Sequence, residues 1–357
     1  MRAQPIHSKP AVPAEDAEVW NASRYVPGSG RGHYESWFQR ANHPTRPLAF
    51  WIRYTIFAPA GRPDDAEGEL WACWFDGEAG TVVAAKRELP MADCQFARSG
   101  LSARIGDSAL DARGLRGAVE GGGQRLGWDL AFTGDEPPLL TFDRALYGTP
   151  IPKAKALVGV PNAVFTGHVE VNGERVEIDG WVGSQNHNWG SQHTDRYAWG
   201  QVAGFDGEPG SFLEVGTGYL KLGPIWTPPM TVMTVRLDGR EHRLGSIRQS
   251  LRASGSYDFF HWRFESSTGE VSVAGTIAAA PETFVGLPYR NPPGGVKTCL
   301  NSKIARCDLT VRVAGGAPRT ITSRCRAAFE ILTEATDHGV PVMALSDGRG
   351  GLARGPR

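Results

Sequence analysis

Along this chain apolar side chains recur every second residue rather than every third or fourth, and that period fixes which elements it can build. Residues 48–57 place Phe50, Ile52, Tyr54 and Ile56 on one side and Trp51, Arg53, Thr55 and Phe57 on the other. Such alternation belongs to an extended strand, whose successive side chains leave opposite faces. Residues 70–75 are apolar on both faces, as in a strand covered on both sides within a closed barrel or sandwich. Further strands are expected over 81–89, 101–105, 126–132 and 164–171. The second half repeats the style over 197–205, 211–220, 230–237, 241–250, 259–265, 271–278, 307–313 and 327–332. Turn residues fall between them, at Asp76-Gly77, Gly121-Gly122-Gly123, Asn172-Gly173 and Asp238-Gly239. The abundance of Gly (45) and Pro (25) in a 10% aromatic chain suits many strands joined by tight turns. Short helix is expected only around residues 90–96. The fold class predicted is all-β.

A length of 357 residues is enough for about two domains, each with its own core. The reading is a disordered lead over 1–15, an N-terminal β domain over 16–192, a C-terminal β domain over 193–335 and a flexible tail over 336–357. Lys and Arg (38) balance Asp and Glu (38), which argues against nucleic acid or an anionic membrane as the main partner. Five scattered cysteines, with no closely spaced pair, read as reduced thiols in the cytoplasm. No stretch is apolar enough for a signal peptide or a membrane-spanning helix. The glycines at 121–123 do not make a phosphate loop, because no Lys-Ser/Thr follows and the next residues look like a strand.

The most unusual window is 180–201. It carries Trp181, Trp189 and Trp199, His187 and His193, and amides at Gln185, Asn186, Asn188 and Gln201, with almost no aliphatic residue. If it is extended, Trp181, Gln185, His187 and Trp189 share one face and Val182, Ser184, Asn186 and Asn188 share the other. A face of Gln, His and Trp reads as a pocket wall. The plainer alternative is a buried strand whose polar groups are satisfied by neighbouring backbone.

Asn186-His187-Asn188-Trp189-Gly190 resembles the Asp-His-Asn-Trp-Gly signature of a superfamily that includes carotenoid 1,2-hydratases, tocopherol cyclases, lipocalin-like AttH proteins and fungal decalin-forming Diels–Alderases. Asn186 stands where the family often has Asp. Residues 288–292 and 299–303 are similar to late segments of tocopherol-cyclase-like proteins. The resemblance implies two lipocalin-like antiparallel β-barrel or sandwich domains packed side by side, with the motif near their junction. It also implies alkene chemistry started by protonation, with no redox or organic cofactor. In the hydratases the implicated residues are the His-x-Trp of the motif and a later Tyr-x-Asp. His187 and Trp189 match the first pair, and Phe212-Leu213-Glu214 is the best match to the second.

Glu214 stands out on its own, as the one charge in an apolar run. If it faces a cavity, burial raises its pKa and makes it a general acid. If it faces outward it is an ordinary solvated carboxylate. The expected catalytic set is His187, Trp189 and Glu214. Trp181, Gln185, Asn186, Asn188, Tyr197, Trp199, Gln201 and Phe212 are expected to bind substrate. A metal at His187, His193 and Asp195 is not expected, because on one strand the two histidines would lie ~20 Å apart. Two classes of function remain: a cofactor-independent hydratase or cyclase for a hydrophobic isoprenoid or polyketide, and a carrier of such a molecule. A protonatable residue in the cavity separates them.

Overall fold

The computed structural model describes residues 19–345. Strands make up 63% of the structure and helix 7%, all of the large-sheet pairing is antiparallel, and the all-β expectation holds. The first sheet runs in the spatial order Thr81–Pro90, Glu67–Asp76, Leu48–Ala58, His33–Asn42, Glu174–Gly190, Ala154–Val171 and Gln124–Thr133, then continues through four short strands to Cys94–Phe96. It curls until its ends approach. A Cβ on Gly121 would sit 2.5 Å from the Lys86 carbonyl oxygen, so glycine lets Gly114–Gly121 close against Thr81–Pro90. Trp37, Phe50, Tyr54, Trp128, Phe165 and Trp181 fill the interior.

The second sheet runs Arg240–Leu244, Met230–Leu237, Glu208–Tyr219, Arg196–Phe205, Arg319–Thr333, Val296–Val313, Val271–Ala278, His261–Ser267 and Ser254–Tyr257. Leu213, Met233, Trp262, Ile277 and Phe329 fill its interior. The two bodies meet through a third apolar cluster. Phe38, Trp51, Trp71 and Phe75 from the outer face of the first sheet pack on Leu287, Tyr289, Cys299 and Leu332 of the second. The architecture is thus two β bodies side by side.

Several local expectations change. Residues 241–250 are not one strand: Arg240–Leu244 ends, and Ile247–Arg252 is a helix whose first turn is capped by Ser246 Oγ accepting from Gln249 N. The expected short helix near 90–96 is one 3-10 turn, Met91–Asp93, followed by the strand Cys94–Phe96. The lead over 1–15 lies outside the described residues. From the expected tail, residues 336–345 are docked rather than free, with Gly286 N donating to Pro341 O and Met343 N to Gly286 O, both at 2.9 Å. The rest of the tail lies outside the described residues. No helix among the described residues is long and apolar enough to cross a membrane.

Candidate functional site

A cavity of about 240 Å³ lies between the two sheets, walled by Phe38, Trp51, Tyr197, Trp199, Tyr289 and Glu214 among others. Strand alternation decides which side chains reach it. In Glu174–Gly190, Asn186 lies opposite Phe38 and Asn188 opposite Ser36, whereas His187 lies opposite Trp37 and Trp189 opposite Glu35. Phe38 faces the junction and Trp37 faces the first barrel's interior. Asn186 and Asn188 are therefore turned to the cavity, and of the Gln-His-Trp face only His187 reaches its wall.

Glu214 sits on Glu208–Tyr219, in register with Gln201 on the neighbouring Arg196–Phe205. It is 3% exposed. Its Oε1 accepts from Trp199 Nε1 and its Oε2 from Gln201 Nε2, each at 2.8 Å. Burial pushes this carboxyl up to about 7, with those two hydrogen bonds and the Arg40 charge pulling the other way. Gln201 has every polar atom of its amide engaged. Its Nε2 also donates to Asn186 Oδ1 at 2.8 Å, and its Oε1 accepts from Arg40 Nε at 2.7 Å and Ser184 Oγ at 2.6 Å.

His187 touches the cavity wall, yet neither ring nitrogen is free. Nδ1 lies 2.7 Å from the Trp20 carbonyl and Nε2 3.0 Å from Glu35 Oε1. Its ring stacks on Trp37 at 4.8 Å. Glu35 is the hub of this second network, also accepting from Ser23 Oγ, Arg24 N and Tyr25 N. Burial alone would raise the Glu35 carboxyl, but the hydrogen bonds and charges of His187 and His33 outweigh it and hold it at about 2.

Of the residues expected to form the site, Asn186, His187, Asn188, Tyr197, Trp199 and Glu214 line the cavity. Gln201 stands directly behind Glu214. Trp189 does not join them; it packs with Trp20, Leu140 and Leu157. Trp181 is in the first barrel's core, stacked on Phe50. Gln185 turns inward to Asn21 Oδ1 at 3.0 Å. Phe212 is buried with Leu139, Val158 and Ala203 and does not line the cavity. Of the expected trio, His187 and Glu214 thus reach the one cavity through separate networks, and Trp189 does not reach it. The physical reason is residues 19–25, which cover the Gln185-His187-Trp189 face and supply its backbone acceptors.

Sequence reasoning left Arg53, Lys155, Tyr289 and Glu330 out of the site and weighed His193 only as a metal ligand, yet all five are in the cavity wall. Arg53 carried a readable signal: it is the single charge in Leu48–Ala58, as Glu214 is in its own run. Glu330 is held by Lys303 Nζ at 2.6 Å, and His193 is pushed down to about 3 by burial and the Arg53 charge. Elsewhere Glu67, Glu69 and Glu88 converge, but the cations of Lys86 and Arg290 sit among them. Both cations are already paired with these carboxylates.

Similarity to known proteins agrees with this architecture. An uncharacterised protein of Mycobacterium tuberculosis, present in two strains, is 26% identical over 288 residues, covering 80% of this chain and 82% of the relative. Among solved structures, a Nitrosomonas europaea protein described as AttH superposes with a TM-score of 0.57 at 15% identity, over 93% of this chain and 99% of that one. Kievitone hydratase from Nectria haematococca superposes with a TM-score of 0.50 at 11% identity, over 91% and 94% respectively. The tocopherol cyclase-like family profile matches residues 151–331, from the last two strands of the first sheet, Ala154–Val171 and Glu174–Gly190, into the last strand of the second, Arg319–Thr333. With just over half its length matched, the chain belongs to the tocopherol cyclase-like family.

Proposed function

We propose that this protein is a hydratase or cyclase that acts on a hydrophobic isoprenoid- or polyketide-like alkene in the junction cavity, with Glu214 as the acid. The observation that carries the reading is a carboxyl group raised to about 7 in the wall of an aromatic cavity. At neutral pH about half of such groups hold a proton, the condition a general acid needs. The family name and the neighbour named a hydratase support the reaction class.

In this reading the Glu214 O–H bond breaks as its proton forms a C–H bond to one alkene carbon. The other alkene carbon is left cationic, facing the rings of Trp199, Trp51 and Phe38. Water or an internal oxygen then bonds to that carbon and releases one proton, which returns to the Glu214 carboxylate. Trp199 and Gln201 hold the carboxyl in one orientation throughout. His187, with both nitrogens occupied, is a positioning residue that fixes the strand carrying Asn186 and Asn188. Trp189 packs beside it, with the two ring centres 4.7 Å apart.

The test begins with the compound that copurifies from the native host, identified by mass spectrometry after denaturation. Incubated with the protein in D2O, it should give product with one deuterium on the protonated carbon. Glu214→Gln should slow this by ~10²-fold or more while leaving affinity nearly intact. Recovery of unchanged compound with no deuterium would mean a carrier rather than an enzyme. Full turnover by Glu214→Gln would remove the acid role.

A further inference from the structure

Arg53 is a buried cation with no ion pair among the described residues, and Glu69 and Glu330 act on it only through their charges. It is 4% exposed and lines the cavity from Leu48–Ala58, in register with Phe38 on one side and Trp71 on the other. Its one side-chain hydrogen bond among the described residues runs from Nη2 to Ser36 Oγ at 2.6 Å, and Nε has no partner there. It forms no ion pair among them. The guanidinium lies 4.7 Å from the centre of the Tyr289 ring and 5.9 Å from that of Trp51, contacts that soften but do not neutralise its charge.

Nearby carboxylates are committed elsewhere. Glu69 pairs with Lys86 at 3.0 Å and with Arg290, Glu330 pairs with Lys303, and Glu214 accepts from Trp199 and Gln201. A guanidinium stays charged at any physiological pH, and a lone buried charge is expensive to keep. Two further features share the wall. Trp51 Nε1 is a buried donor with no acceptor among the described residues. Lys155 spends its ammonium on two neutral carbonyls, Thr149 O at 2.8 Å and Pro152 O at 2.6 Å. At the Arg53 end the cavity therefore offers an unpaired cation and an unmet donor, while the wall's carboxyl groups, Glu330 and Glu214, are held by Lys303, Trp199 and Gln201.

We propose that Arg53 anchors an anionic oxygen head group, a carboxylate or an ionised enol, so that the substrate is an apolar acid rather than a neutral hydrocarbon. The head group accepts from the guanidinium and from Trp51 Nε1, and the apolar body extends past Phe38 toward Trp199. Phe38 meets Trp199 edge-on at 6.0 Å, and Trp199 is the indole that holds Glu214. Anchoring the acid at Arg53 thus directs the body of the molecule toward the carboxyl. The inference rests on reading this cavity as the substrate site, and it stands independently of the protonation step.

Binding is read by quenching of tryptophan fluorescence at about pH 8, with four probes: dodecanoate, its methyl ester, and an acylated cyclohexanedione of equal chain length with its enol methyl ether. The protein should bind at least one of the two acids ~10-fold or more tightly than its neutral methyl derivative. Whichever acid shows the preference identifies the head group. Arg53→Met should abolish the preference and leave binding of the neutral derivatives unchanged, while Arg53→Lys should keep part of it. Glu214→Gln should keep it whole, so a failed acid role and a failed anchor give different results. Equal binding of acid and methyl derivative by the unsubstituted protein would overturn the proposal, as would a preference that survives in a folded Arg53→Met. No saturable binding of either acid would overturn it as well.

Discussion

Glu214→Gln can be followed through stability as well as rate. In the unfolded chain this carboxyl titrates near 4.5, whereas in the folded protein it titrates at about 7 because burial disfavours the charged form. As pH rises, the unfolded chain releases its proton first, so between these values the folded state binds more protons. Stability must then fall with rising pH across that window. A gap of this size, at roughly 1.4 kcal/mol per pH unit, corresponds to about 3 kcal/mol of stability present below pH 4.5 and gone above pH 7. Glutamine has no proton to lose, so the variant lacks this slope. It does carry a constant handicap. Both Glu214 oxygens accept hydrogen bonds, and the NH2 group of the new amide must face one of the two donors, Trp199 Nε1 or Gln201 Nε2. That mismatch costs ~1–3 kcal/mol at every pH. It cancels when each protein's change between about pH 4.5 and about pH 8 is compared. Urea unfolding followed by tryptophan fluorescence supplies the four free energies. The unsubstituted protein should lose about 3 kcal/mol more than the variant over that interval. Parallel loss in the two proteins would mean that Glu214 titrates like a solvated carboxyl, and the general-acid reading would go with it.

Two other changes probe the same networks. Trp199→Phe removes the donor to Glu214 Oε1, a bond that favours the ionised carboxylate. The alkaline limb of the rate–pH profile should therefore move to higher pH, and a limb that stays or moves down refutes the assignment. Glu35 shows the opposite linkage. Its folded value of about 2 lies below its ordinary 4.5, so it contributes ~3 kcal/mol above pH 4.5, lost as pH falls toward 2. Glu35→Gln should flatten acid unfolding over that range, and an unchanged acid midpoint relative to neutral pH would refute it.

What could be read from the sequence followed from how cleanly burial sorted apolar from polar residues. Leu48–Ala58 was legible because one of its faces is a regular aliphatic and aromatic row. His33–Asn42 was not, although nine of its ten residues are buried. Its buried set includes Glu35, Ser36, Gln39, Arg40 and Asn42, so no period of apolar residues marks it. Glu35, Ser36, Arg40 and Asn42 are inside because partners far away in the chain satisfy them, which a local pattern cannot register. The motif strand shows the same limit. Alternation divided 181–189 correctly into two faces, but nothing local says which face meets the cavity. That is decided by residues 19–25, whose backbone oxygens take the His187 and Trp37 donors. Glu214 was legible as a lone charge in an apolar run; Arg53 had the same signal.

The polar layer between the sheets also ties the cavity's shape to its chemistry. Arg40 reaches across from the first sheet to the Oε1 and backbone oxygen of Gln201 on the second, at 2.7 and 3.1 Å. Asn42 reaches across to the Lys303 carbonyl at 2.7 Å. An apolar contact would let the sheets slide at little cost, whereas a buried guanidinium loses its hydrogen bonds if they shift by more than a few tenths of an ångström. Gln201 is the residue on which this clamp and the acid meet. One end of its amide accepts from Arg40 and Ser184 of the first sheet, and the other end donates to Glu214 and to Asn186. The amide cannot flip without putting donors against donors at the Arg40 end. The spacing of the sheets therefore dictates that an N–H, and not a carbonyl, faces Glu214. That N–H holds the carboxyl's value near neutrality rather than higher still, because it favours the ionised form against burial. The same contact fixes how wide the cavity is and how readily its acid gives up a proton.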